Sequence, residues 1–214
     1  MSETYDFETI KRMIVQQPPI GTRTGPRQRA LLFDLARNCG GHVIETGTGA
    51  GGTAIVMGLA LLGSPYTVMT YDPFPVDPDA HDGWTKESQA FREARLRTNL
   101  RIYRADNVIT VKASAKAYYE NPYNFFENDP PLIAGLVFID GDHRERAVRE
   151  DVEWTLPKLK IGGFLALHDC GLPGVKPVGD EFRWKRPAFK LVHEVNGLLV
   201  FEKLSDEPAP NPKP

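Results

Sequence analysis

The stretch Val43–Val56, "VIETGTGAGGTAIV", decides the fold. A short apolar run ends in Glu45 and Thr46. Gly47, Gly49, Gly51 and Gly52 then crowd into six positions, and apolar residues return at helical spacing. Glycine adopts backbone conformations that other residues avoid, at a cost in chain entropy. A glycine-dense bend between a strand and a helix is worth that cost where a ligand must lie against bare backbone at a helix N-terminus. Asp72 follows Gly52 by 20 residues, at the end of the next strand-like run. That is the spacing of an acid that accepts ribose hydroxyls.

Outward from this stretch the chain alternates. His42–Glu45, Tyr66–Tyr71, Val108–Val111, Leu136–Ile139 and Phe164–Leu167 read as strands. Thr53–Leu62 and residues 87–100 read as helices, and a further helix carries Val148, Val152 and Leu159 inward, disturbed by Pro157. Strands separated by helices argue for a parallel sheet covered on both faces. The strands are continuous apolar runs, as burial on both faces requires. Upstream, Phe7, Ile10 and Ile14 mark a helix over 4–16, and Leu31, Leu32, Leu35 and Ala36 mark one over 27–38 that Gly40-Gly41 stops. Near the end, "KLVHEVNGLLVFEKL" is two β-type runs around Asn196-Gly197, a strong hairpin signal, so the sheet should finish with an antiparallel pair. The expectation is an α/β, Rossmann-like, doubly wound sheet of seven strands, mostly parallel, with an antiparallel C-terminal hairpin strand and helices on both faces. Three segments follow: 1–26 as an N-terminal helix and loop that serves as lid or dimer contact, 27–203 as the main domain, and 204–214 as a disordered Pro-rich tail.

Composition excludes several classes. The 214 residues suffice for one domain with a sizeable core. A net charge of −2 argues against nucleic acid or an anionic membrane as main partner. No apolar run approaches the roughly 20 residues of a membrane span, and the polar start "MSETYDFETIKRM" is unlike a secretory signal. Cys39 and Cys170 are the only cysteines, too few for a disulfide framework, so a cytoplasmic, reduced setting is the default expectation.

The glycine loop and Asp72 alone also fit a nicotinamide dinucleotide. Glu45 weighs against that reading, because a carboxylate beside the loop would oppose a pyrophosphate. S-adenosylmethionine carries a sulfonium and an ammonium instead, and an acidic rim suits it. "VIETGTGAGGTAIV" resembles the first signature of class I S-adenosylmethionine-dependent methyltransferases, and "VMTYDPF" their second. "LVFIDGDHRERAVREDVEWTLPKLKIGGFLALHDC" resembles the subgroup of small O-methyltransferases and antibiotic-sugar methyltransferases. The resemblance covers about residues 28–203. It implies that Glu45, Thr46, Gly47, Gly49, Gly51, Asp72 and Asp140 surround the cofactor. Ser114 either approaches the adenine or simply caps the following helix.

"FIDGDH" puts Asp140, Asp142 and His143 just past one strand, and "LALHDC" puts His168 and Asp169 past the next. Ligands of open parallel sheets bind outside the carboxyl ends of the strands, so both clusters should face the glycine loop's crevice. Converging carboxylates repel unless a proton or cation intervenes. In one reading Asp140 and Asp169 hold Mg²⁺ or another divalent cation, which lowers the pKa of the acceptor hydroxyl. Cys170, in place of the second acid or amide of related metal-dependent enzymes, departs from that pattern. In the other reading no metal is present and His143 or His168 is the general base. Asp142 is equally a helix cap. His81, Trp84 and the acids of "PFPVDPDAHDGW" read as a surface loop or a wall of the pocket. The basic run "FREARLRTNLRIYRA" reads most simply as a solvated helix face, with contact to a phosphate-bearing acceptor as the alternative.

The expected function is O-methylation of a small molecule by Asp140, His143 and Asp169. A homodimer is compatible with the N-terminal helices. The rivals are an NAD-dependent oxidoreductase and a non-catalytic S-adenosylmethionine-binding protein.

Overall fold

The computed structural model describes residues 5–74, 86–120 and 132–206. The sequence expectations for the insertion at 75–85, including His81 and Trp84, and for the tail from 207 onward lie outside the described residues.

The described strands are β1 (His42–Thr46), β2 (Val68–Tyr71), β3 (Val108–Val111), β4 (Ala134–Ile139), β5 (Leu159–Leu167), β6 (Phe189–Val195) and β7 (Leu198–Lys203). They form one sheet in the order β3-β2-β1-β4-β5-β7-β6. The first five run parallel, with registers such as Val43 opposite Val68 and Ile44 opposite Val137. β7 is antiparallel to both β5 and β6, so it alone runs against the rest, and the Asn196-Gly197 turn makes the reversal. Both turn residues have positive φ, at 50° and 85°, as a tight hairpin turn of this kind requires.

Helices α1 (Phe7–Gln16), α2 (Pro26–Asn38), α3 (Gly52–Ala60) and α4 (Lys86–Tyr103) contribute to the core on one face of the sheet. Helices α5 (Ala115–Tyr119), α6 (Glu145–Thr155) and α7 (Lys176–Trp184) cover the other. β4 shows why both faces need cover. Leu136 and Phe138 enter the first core and Val137 and Ile139 the second, all essentially buried. Successive strand residues point to opposite faces, so a wholly apolar strand is stable only between two layers. Each such side chain, fully buried, contributes about 1.5–3 kcal/mol.

Two details depart from the sequence expectation. Leu159 does not lie on α6. The helix ends at Thr155, Leu156–Lys158 form a 3₁₀ turn around Pro157, and Leu159 opens β5 opposite Ala134. Proline cannot continue the helix, and the chain turns into the sheet at once. β5 therefore starts five residues earlier than the Phe164–Leu167 run suggests, because Gly162-Gly163 interrupts its apolar pattern where the register with β4 shifts. Helices α5 and α7 have no assigned span in the sequence expectation. α5 is one short turn capped by Ser114, whereas α7 is amphipathic, burying Val178 and Phe182 at helical spacing with Gly179 packed closely on Cys170 and Leu199.

Among the described residues, no helix is long and apolar enough to cross a membrane.

Candidate active site

The bend after β1 is built by close approach. Gly47 has φ +89°, and its N–H donates to the Tyr71 carbonyl at 2.8 Å. A Cβ there would collide with the carbonyl group of Asp140 and lie 2.8 Å from Gly141 Cα. Glycine at 47 thus lets the ends of β1 and β4 touch. At the far side of the bend, Gly51 sits in the left-handed region at φ +77° and begins α3. A Cβ on Gly52 would run into Thr22, 2.7 Å from its Cα. The loop between α1 and α2 therefore lies directly on the glycine bend. Asn99 clamps the two, donating to the carbonyls of Ile20 and Ala50, each at 2.9 Å. Buried Arg29 anchors the same loop by donating to the carbonyls of Thr24 and Val15.

Asp72 stands where the spacing places it, at the end of β2. Its Oδ2 accepts from Gly49 N–H at 3.0 Å and its Oδ1 from Phe74 N–H at 2.9 Å. A carboxylate has about four acceptor positions, so capacity for ribose hydroxyls remains.

Glu45 is not on an acidic rim. It is buried and not among the residues lining the cavity. Thr70 donates to its Oε2 at 2.5 Å, and Thr48 Oγ1 lies 2.7 Å from Thr70 Oγ1, so a hydroxyl chain joins Glu45 to the glycine loop. Burial pushes its carboxyl well above the usual range, outweighing the Thr70 hydrogen bond, and the charges of Asp140 and Asp72 push the same way. A carboxyl covered by Thr70 and held toward its protonated form presents no charged rim to the cavity, and the electrostatic objection that Glu45 raised to a dinucleotide is weakened accordingly.

The strand ends open into a cavity of about 790 Å³. Its walls include Thr46, Gly47, Gly49, Asp72, Ser114 and Lys116 at one side and Asp140, His143, His168 and Asp169 at the other. Ser114 Oγ accepts from Ala117 N–H at 3.1 Å, so it caps α5 and also faces the cavity.

The polar cluster converges as its strand-end placement predicts. His168 Nδ1 lies 2.8 Å from Asp140 Oδ1 and 3.4 Å from Asp169 Oδ2, and His143 Nε2 lies 3.3 Å from Asp169 Oδ2. Burial pushes the Asp140 carboxyl up, but hydrogen bonds and charge from His143 and His168 outweigh it and hold it below the usual range. His168 is the counterpart. Burial lowers its pKa, yet the bond to Asp140 and the charges of Asp140 and Asp169 leave it raised. Asp169 has φ +53°, a left-handed conformation that costs a non-glycine residue and is concentrated at functional positions. Two residues stand apart from this cluster. Asp142 pairs with Arg144, accepting from its backbone N–H at 2.9 Å and its Nε at 2.7 Å. The Cys170 thiol is pushed up to about 12 by burial and donates to the Leu167 carbonyl, so it is unsuited to hold a cation.

Several lining residues go beyond the sequence reading: Thr22 and Arg23 from the N-terminal loop, Arg92 and Arg95 from α4, and Asp151 from α6. Arg92 and Arg95 show that "FREARLRTNLRIYRA" is not a solvated face throughout, since both border the cavity. Asp151 did leave a signal. It falls between Val148 and Val152 on the inward stripe of α6, where a carboxylate is costly without a purpose.

A family model described as a methyltransferase domain matches residues 44–170. Among curated proteins none matches the sequence. The fold is similar to that of the O-methyltransferase NovP, at 21% identity over 95% of this chain and 90% of that one, with a TM-score of 0.67. An O-methyltransferase from Bacillus cereus solved with S-adenosylhomocysteine is 16% identical over 95% and 92%, with a TM-score of 0.60. CalS11, a TDP-rhamnose 3′-O-methyltransferase of calicheamicin biosynthesis, is 12% identical over 92% and 93%, with a TM-score of 0.57. With the family match spanning more than half of the chain, and one strand running against an otherwise parallel sheet, the protein belongs to the class I methyltransferases.

Proposed function

We propose that the protein transfers a methyl group from S-adenosylmethionine to a hydroxyl oxygen of a small molecule. The observation that carries this reading is one cavity with two chemically distinct ends. A bare glycine bend tied to Asp72 forms one, and Asp140, His143 and Asp169 form the other. A volume of about 790 Å³ accommodates a cofactor and a modest acceptor together.

S-adenosylmethionine, when bound, supplies a methyl group already activated by its sulfonium. The protein has to orient two reactants and remove one proton. The Gly47–Gly52 bend offers close backbone approach, Asp72 accepts the ribose hydroxyls, and Ser114 and Lys116 border the space for the adenine. At the acceptor end the His143 imidazole takes the hydroxyl proton, and Asp169, 3.3 Å from its Nε2, stabilises the imidazolium that results. Asp140 and His168 hold each other and fix the floor beneath them.

The same residues fit a divalent cation. Ligand atoms of Asp140, His143 and Asp169 lie within 4.8 Å of one another, and two carboxylates with an imidazole are a suitable donor set. These three would hold it, and its charge would acidify a coordinated hydroxyl.

Calorimetry with S-adenosylhomocysteine and with NAD tests the cofactor. Binding of the first and not the second is expected, and the reverse result overturns the proposal. Turnover is read by product mass over a panel of phenols and sugars, with Mg²⁺ and after chelation. Asp169→Asn should keep S-adenosylhomocysteine binding while turnover falls about 100-fold, the usual scale of positioned acid–base chemistry. Full activity in that variant removes Asp169 from the mechanism.

A further inference from the structure

Asp151 faces the cavity, and none of the roles above employs it. The Thr46 hydroxyl beside it is buried with no hydrogen-bond partner among the described residues, and its proximity favours the ionised form of Asp151. The point that a Cβ on Gly141 would occupy lies 3.0 Å from Asp151 Oδ2, 3.6 Å from Thr46 Oγ1 and 3.7 Å from Gly47 N. A carboxylate, a hydroxyl and the first amide of the glycine bend therefore surround one spot between the ends of β1 and β4. The sheet order β3-β2-β1-β4-β5 gives that spot a meaning. Ser114 and Lys116 mark the cavity near the end of β3, Asp72 marks it at β2, and the acceptor cluster marks it at β4 and β5. A cofactor lying along the strand ends from β3 toward β5 brings its amino-acid end to β1 and β4.

We propose that Asp151 is the counter-charge for the α-ammonium group of the bound cofactor, a binding residue that the glycine signature does not contain. The assignment rests on the S-adenosylmethionine reading above. The charged groups that act on Asp151 most are all acids: Asp142 from the loop after β4, Glu150 from its own helix and Asp72 from the end of β2. Burial comes first, and with these neighbours it pushes the carboxyl up to about 7. A buried carboxylate among acids is unfavourable until a cation docks beside it. An ammonium placed there turns that cost into a charge-assisted hydrogen bond and gives the unpartnered Thr46 hydroxyl a donor to accept from.

Two ligands separate this role from a structural one. S-adenosylhomocysteine carries the ammonium. 5′-Methylthioadenosine shares the adenosine and the sulfur and lacks the amino-acid end. Asp151→Asn is nearly isosteric and removes only the charge. The expected result is a loss of about tenfold or more in affinity for S-adenosylhomocysteine, with 5′-methylthioadenosine unchanged within about twofold. Equal losses for both ligands, or no loss for either, overturn the assignment. A wild-type measurement stands beside it. S-adenosylhomocysteine binding at pH 7 should release protons as Asp151 ionises, so its heat should vary with the ionisation enthalpy of the buffer. The heat for 5′-methylthioadenosine should not. Buffer-independent heat for both counts against Asp151 even where the variant fails to fold. Wild-type protein that binds neither ligand overturns the cofactor reading, and the assignment falls with it. Protein that binds both, with no selective effect of the variant, overturns the assignment alone.

Discussion

The backbone N–H of Gly49 donates to Asp72 Oδ2 at 3.0 Å, so the glycine bend and the acid at the end of β2 are one structural unit before any ligand arrives. Asp72 also receives the Phe74 N–H at 2.9 Å. Asp72→Ala therefore leaves two amides without their partner, that of Phe74 in a buried position and that of Gly49 in a half-buried one. Each lost partner costs about 1–3 kcal/mol where water cannot replace it. The free protein should lose about 2 kcal/mol of stability in denaturant unfolding, in addition to weaker S-adenosylhomocysteine binding. A residue that only touched ligand would leave the unliganded unfolding midpoint where it was.

Burial raises the Glu45 carboxyl, and the direction of that shift fixes how stability depends on pH. Its folded pKa is raised well above 4.5 by burial, so the folded state keeps a proton that the unfolded chain gives up. Stability from this group is fully present below about 4.5 and falls as pH rises toward the folded value. Glu45→Gln mimics the protonated form and still accepts from Thr70. It should match the wild type near pH 4 and exceed it at pH 8. Glu45→Ala removes the end of the hydroxyl chain through Thr70 and Thr48 and leaves a hole, and should cost about 2–4 kcal/mol at either pH. Unfolding curves of the two variants at the two pH values give the test. A Gln variant less stable than wild type at pH 8 would mean that Glu45 is ionised in the fold.

Much of this architecture is legible before folding, for identifiable reasons. The glycine bend, Asp72 and the strand-end acids lie within short stretches whose spacing follows from the strand–loop–helix unit itself. The Asn196-Gly197 hairpin is as local. Glu45 is misread because its sequence neighbours do not show that Thr70, 25 residues away, covers it. Thr22 is missed because contact between the N-terminal loop and Gly52 is purely tertiary. Arg92 and Arg95 look like solvent-facing helix residues because the cavity wall they complete belongs to a different stretch of chain. Asp151 is the instructive case. An acid on the apolar stripe of α6 is visible in the sequence, but what it faces is set by Gly141 and Thr46.

Arg29 should control the loop that rests on the glycine bend. It is 6% exposed and supplies donors to the carbonyls of Thr24 and Val15. Arg29→Met keeps most of the apolar stem and removes both donors. The two carbonyls must then find water, which opens residues 17–25. Hydrogen exchange in that segment should rise clearly, and stability should fall by about 1–3 kcal/mol. Affinity for S-adenosylhomocysteine should drop severalfold, because Thr22 and Arg23 line the cavity. Unchanged exchange in residues 17–25 would show that the Asn99 bridge to Ile20 and Ala50 suffices to hold the loop.

The Asp140–His168 contact predicts a displaced histidine titration. Burial alone would lower the His168 pKa, and the hydrogen bond and charge of Asp140 are the largest effects that raise it above 6.5. In Asp140→Asn the charge is lost and only a neutral amide oxygen is left to accept, so the ring should titrate lower than in the wild type, in a chelator-containing buffer that keeps divalent ions away. The pair also shapes stability. His168 contributes fully below about 6.5, and its contribution fades as pH rises through its folded value. Asp140 contributes above about 3.8, and its contribution fades as pH falls through its lowered folded value. Wild-type stability relative to Asp140→Asn should therefore be greatest between these limits, near pH 5. NMR titration of the imidazole protons reads the first effect and urea unfolding from pH 3 to 9 the second. A His168 pKa that does not fall in the variant would transfer the raising charge to Asp169, whose Oδ2 lies 3.4 Å from the same nitrogen.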